Sequence, residues 1–127
     1  ALNKRSIGIE IASEGALIKN KDTLYCFGVI SQRTTWNKPF VDLGKVWRSY
    51  QYFDPYDEPQ LAAVIELVQH LKEKYHIQNR FPNNIIPNLS NYNYDPKYLD
   101  HVGICGHAYL RSDKSDVHPL FPWEKLL

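Results

Sequence analysis

Between residues 58 and 75 apolar side chains return at the 3.6-residue interval of a helix. Leu61, Val64, Ile65, Val68, Leu71 and Tyr75 make one stripe, and Glu66, Gln69, Lys72, Glu73 and Lys74 lie on the other side. Asp57, followed three residues later by Gln60 and with Pro59 in the first turn, marks the start. The spacing predicts one amphipathic scaffold helix packed on a sheet.

The N-terminal half carries the two-residue period instead. Ile7, Ile9 and Ile11 alternate with Ser6, Gly8, Glu10 and Ala12, which predicts a strand over 7–11 with room beside Glu10 on its small-residue face. Residues 16–19 and 23–27 flank Asn20-Lys21-Asp22 and read as a hairpin closed by a polar turn. Residues 31–42 read as irregular, and a third extended piece is expected over 45–52. The stretch 78–96, rich in Asn and Pro, is expected to be a long ordered loop or an insertion. Tyr92, Tyr94 and Tyr98 give it an aromatic rim, able either to receive a sugar or peptide or to pin the loop to the domain. A short apolar strand over 102–105 then delivers Gly106 and His107 at its end.

Composition narrows the classes. A chain of 127 residues with 43% hydrophobic and 13% aromatic content suffices for one core. Fifteen basic and 14 acidic residues are scattered without a block of like charge, which leaves no electrostatic footprint for nucleic acid. No apolar run approaches the roughly 20 residues of a membrane span. Cys26 and Cys105 each sit in an apolar stretch and read as buried free thiols rather than a disulfide. Cys105 could share a face with His107 only if the segment is strictly extended.

Among the five histidines, His70 and His76 lie on or just after the helix among charged neighbours and read as solvated. His101, beside Asp100, is open to either reading. At His107 the preceding glycine would let the backbone approach a bound ion closely, and the loop after it can fold back. On that loop Asp116 can supply an oxygen ligand and Lys114 a fixed positive charge, although by spacing alone the two also read as an ordinary solvated pair. Glu10 either points to solvent or serves as a general base on a rigid element.

Three motifs in order resemble those of the zinc-dependent N-acetylmuramoyl-L-alanine amidases of the type 2 family, which includes the peptidoglycan recognition proteins. They are Asn3 with Ser6-Ile7-Gly8-Ile9-Glu10; Tyr52-Phe53, Tyr56 and Gln60 before the helix; and Gly106-His107, Lys114-Ser115-Asp116 and Pro119-Leu120-Phe121-Pro122-Trp123. The resemblance implies an α/β fold with a central mixed sheet flanked by helices. It implies zinc held by His107 and Asp116, water activated by Glu10, and an oxyanion stabilised by Lys114. The bond cut would join the lactyl group of N-acetylmuramic acid to L-alanine, in peptidoglycan or muropeptides. A bacterial or phage enzyme is expected, of the cell envelope, extracellular space or phage lysis, with cytoplasmic recycling as the other setting.

The family's remaining zinc histidine precedes the glutamate motif, and no histidine here precedes Glu10. Residues 1–127 are therefore expected to be the C-terminal part of a single catalytic domain, with an N-terminal fragment of the same protein as partner. The loop from His107 to Lys114 is one residue shorter than the family pattern. His118 stands where the family has glycine, as a substitute ligand, a substrate contact or a plain loop histidine. One alternative is a module of this fold that binds peptidoglycan without cutting it. Retention of Glu10, Lys114 and Asp116 together argues against that. A second, an interaction domain with accidental motif matches, predicts no zinc.

Overall fold

The computed structural model describes residues 2–26 and 33–127. Among the described residues five strands form one sheet: β1 (Ala16–Asn20), β2 (Thr23–Cys26), β3 (Thr34–Thr35), β4 (Val41–Trp47) and β5 (Tyr50–Phe53), in the order β3-β2-β1-β5-β4 with every pairing antiparallel. Helix α1 (Glu58–Tyr75) follows the sheet, and a single helical turn, α2 (His107–Leu110), follows the long loop. The fold is thus α/β, as expected, with a sheet that is antiparallel rather than mixed among the described residues. Phe27, at the end of the predicted hairpin, and Ser31, at the start of the irregular stretch, lie outside the described residues.

Because successive side chains of a strand point to opposite faces, β5 serves two apolar clusters. Phe53, opposite Ala16, faces the main one, which contains Leu43, Trp47, Val68, Phe81, Tyr92, Tyr109, Phe121, Trp123 and Leu126. Tyr52, opposite Leu17, faces a smaller one built on Leu17, Leu24 and Cys26. The helix stripe packs as its period requires: Val68 is buried, and Leu61, Val64 and Ile65 are half-buried against the main cluster. Lys72 fastens the other end, its Nζ donating to the Leu126 carbonyl at 2.6 Å.

The helix has the expected bounds but a different start. Asp57 makes no side-chain cap bond, and Gln60 turns away to donate to the Ala12 carbonyl at 2.8 Å, tying down the N-terminal segment. His76 is exposed in the left-handed region (φ 54°) as the C-cap, and its N–H donates to the Lys72 carbonyl.

The stretch 31–42, irregular by its sequence, contains β3 and the start of β4, and three further expectations are corrected. Residues 7–11 are not a strand: they make no backbone-to-backbone hydrogen bond among the described residues, and Ile7 and Ile9 are exposed. Alternation without a neighbouring ladder does not make a strand. The single extended piece over 45–52 is two strands joined at Arg48 and Ser49, both at positive φ (49° and 72°), the geometry of a type I′ hairpin turn. Such backbone costs roughly 1–2 kcal/mol per residue when it is not glycine. Residues 102–105 are not a strand either. Ile104 donates one backbone bond to the Arg80 carbonyl, and Gly103, at φ 137°, interrupts the ladder where a Cβ would strike that carbonyl.

Candidate active site

The structure brings His107 and Asp116 together. His107 Nδ1 lies 3.2 Å from Asp116 Oδ2 across nine residues of chain, with both side chains about half exposed. His107 is the first residue of α2 rather than the last of a strand. Its position is set from below. Ala108 and Tyr109 are buried, Tyr92 is fully buried, and the Tyr92 hydroxyl accepts from the Ala108 N–H at 3.4 Å. Tyr92 stacks on Trp47 (5.4 Å, 11°) and meets Trp123 edge-on (5.2 Å, 71°).

This packing explains the Gly-His pair differently from the sequence. A Cβ on Gly106 would strike the Tyr92 hydroxyl and come within 2.7 Å of its Cζ and 2.8 Å of Trp123. The glycine makes room for aromatic rings. Of the three tyrosines of the long loop, Tyr92 pins the loop, Tyr98 meets Tyr109 edge-on (4.9 Å, 73°), and Tyr94 is exposed. The asparagines of that loop bond to one another and to its backbone, as Asn91 does to Asn88 and Ile86.

Lys114 is half-buried, and its ammonium makes no hydrogen bond or ion pair among the described residues. Glu10 is exposed and makes no hydrogen bond or ion pair with His107, Lys114 or Asp116. Tyr56, from the second motif, lies near the pair: burial first, and then the charges of Asp116 and Asp54, raise its hydroxyl well above the usual range. Both cysteines are free. Burial pushes the Cys105 thiol up to about 12, so it stays protonated at neutral pH. His101 is half-buried with Nε2 3.1 Å from the Ile104 carbonyl, a structural contact.

Arg48 had no signal in the sequence. Its guanidinium reaches from the β4–β5 turn to three backbone carbonyls, Nη2 donating to Ala108 (2.6 Å) and Nη1 to Arg111 (2.7 Å) and Lys114 (2.9 Å).

His118 lies in the aromatic core. Its ring stacks on Tyr56 (5.5 Å, 17°) and leans on Phe53 (5.3 Å, 43°), and neither ring nitrogen has a protein partner. Burial pushes its pKa down to about 4, against an opposing pull from Asp54. No group of three or more His, Cys, Asp or Glu able to hold a metal occurs among the described residues. His118→Phe keeps the stacking and removes two buried polar atoms without partners, so it should stabilise the fold by about 1–2 kcal/mol. The wild-type fold disfavours protonation of His118, whereas the unfolded chain accepts it at the ordinary value of 6.5. Its contribution is therefore complete above pH 6.5 and declines as the pH falls toward about 4. Urea melts at pH 7 and pH 5 check both points: a Phe variant no more stable than wild type, or one equally acid-sensitive, would contradict this account.

The N-acetylmuramoyl-L-alanine amidase family model matches residues 1–119. The chain belongs to that family. Membership supports peptidoglycan amidase activity in general, and the match spans all three motifs up to Pro119. Comparison with curated proteins and with solved structures gave no match. No helix among the described residues is long and apolar enough to cross a membrane.

Proposed function

We propose that this amidase is a zinc-dependent hydrolase that cuts the bond between the lactyl group of N-acetylmuramic acid and L-alanine, in peptidoglycan or its muropeptide fragments. The observation that carries the reading is the convergence of His107 and Asp116. Two ligands each about 2.0–2.1 Å from one tetrahedral ion stand roughly 3.3 Å apart, and the observed 3.2 Å fits. An imidazole and a carboxylate are also donors that zinc accepts. The residues present thus fit two of three protein ligands. On the family resemblance the third is a histidine that precedes the glutamate motif.

Zinc, when bound, would act as a Lewis acid toward the scissile carbonyl and lower the pKa of water to about 7. The remaining roles fall to side chains. Glu10 takes the proton of the attacking water on its carboxylate and delivers it to the leaving amide nitrogen. Lys114 Nζ, free of a carboxylate partner among the described residues, holds the negative charge that develops on the carbonyl oxygen. Glu10 owes this assignment to its motif, since it touches neither ligand here.

Elemental analysis of the full protein should give about one zinc per molecule, and the same sample should release L-alanine-terminated peptides from peptidoglycan. Asp116→Ala and His107→Ala should each lose most of the metal. Zinc without peptide release would make the protein a binding module, and absence of both from the intact protein would refute the proposal.

A further inference from the structure

Arg48 reaches the loop that carries His107, Lys114 and Asp116 from a hairpin turn some 60 residues earlier in the sequence. We propose that it is a positioning residue of the active site, its guanidinium holding the carbonyls of Ala108, Arg111 and Lys114 and so fixing the separation of His107 from Asp116. The inference rests on the reading of His107 and Asp116 as metal ligands.

Four observations carry it. First, the bonded carbonyls are spread along the segment between the two ligands: one follows His107 directly, one closes α2, and one lies two residues before Asp116. A loop tied at three points between its ligands keeps little freedom to change their spacing. Second, the bonds are charge-assisted and run from one planar group. A lysine carries all its donors on one nitrogen and lacks the second donor atom with which the guanidinium holds Ala108 while Nη1 holds Arg111 and Lys114.

Third, no carboxylate forms an ion pair with Arg48 among the described residues, so its charge is directed at carbonyl oxygens, which a helix end leaves without partners. Its guanidinium carbon also sits 5.5 Å from the Trp47 ring centre, and Trp47 is the buried indole on which Tyr92 stacks. The clamp and the floor beneath His107 are thus one rigid unit.

Fourth, the turn itself gives no reason for arginine. Arg48 stands at φ 49°, where a type I′ turn prefers asparagine or glycine. The long side chain serves something other than the hairpin, and its three bonds show what.

That preference supplies a clean variant. Arg48→Asn suits the turn and removes the clamp, whereas Ser49→Gly relaxes the same turn and leaves the clamp in place. In the metal-free full protein, amide hydrogen exchange over residues 107–116 should speed up in Arg48→Asn, with α1 and β5 unchanged. Its zinc dissociation constant, measured by competition with a chromophoric chelator, should rise 10–100-fold, the usual cost of losing an outer partner of a metal site. Ser49→Gly should match wild type in both. Unchanged exchange in Arg48→Asn would overturn the proposal. So would faster exchange with zinc affinity within twofold of wild type, which would make Arg48 merely structural. If Arg48→Asn loses protection throughout the sheet, Arg48→Lys, which keeps the charge and the stem over Trp47, takes its place: the same two changes are expected of it, and the same two results would overturn the proposal. A wild-type protein that takes up no zinc would defeat the metal reading itself, and with it the role of Arg48 toward that metal. The exchange result would still decide separately whether the clamp holds the loop.

Discussion

Glu10→Gln should lower the rate of amide hydrolysis by roughly 10²–10⁴-fold and leave the zinc content unchanged. The substitution keeps the shape of the side chain and removes its capacity to take a proton from water, so binding of metal and substrate should survive while turnover falls. The contrast with Asp116→Ala makes the test specific, because there the metal itself should be lost. Zinc measured by elemental analysis beside the rate of peptide release from peptidoglycan separates the two roles. If Glu10→Gln lost zinc as completely as Asp116→Ala, Glu10 would be a ligand and the division of labour would be refuted. If its kcat stayed at the wild-type level, the base would be another residue.

Gly106→Ala should destabilise the fold by about 2–3 kcal/mol, because one methyl must displace aromatic rings from close packing. The ring it strikes, Tyr92, is at once stacked on Trp47 and edge-on to Trp123, so there is no open side for it to move into. Urea denaturation should show a lower midpoint, and near-UV circular dichroism should report the disturbed aromatic residues. His107, the next residue, should shift with the backbone, so metal content should fall as well. Tyr92→Phe in the same chain removes the first atom the methyl meets and should recover part of the loss. A Gly106→Ala protein as stable as wild type would mean that the aromatic floor yields more readily than its packing implies.

The bounds of the helix were legible because 18 residues of 3.6-residue periodicity need no information from elsewhere in the chain, whereas its start is set by the contact of Gln60 with Ala12. The β1–β2 hairpin was legible for a similar reason, its polar turn lying between two apolar runs. The β4–β5 hairpin was not, because Arg48-Ser49 lacks the asparagine or glycine by which such turns are recognised; a contact 60 residues away outweighs the local preference. Residues 7–11 and 102–105 have the alternation or apolarity of strands, but a strand exists only as part of a ladder, and a ladder is a property of two segments. His107, Lys114 and Asp116 stand out in the sequence through an ordered set of motifs, and His107 and Asp116 lie 3.2 Å apart in the structure. Arg48 and the burial of His118 between Phe53 and Tyr56 left no trace in composition or period, since both depend on which aromatic faces meet in three dimensions.

The two faces of β5 divide the labour of stability between an outer and an inner compartment. Leu17, Leu24 and Cys26, with Tyr52 and Trp36, form an apolar layer supplied by the first hairpin and its neighbours, while the aromatic floor under His107 (Trp47, Tyr92, Tyr109 and Trp123) belongs to the cluster of Phe53. Fraying of the first hairpin at its turn, the end away from Ala16 and Phe53, can therefore proceed as a local event that leaves the loop of His107 seated. Its exposed Lys21-Asp22 tip becomes the natural place to graft an affinity tag, a fluorophore or a second binding module, because length added there is carried by the outer compartment alone.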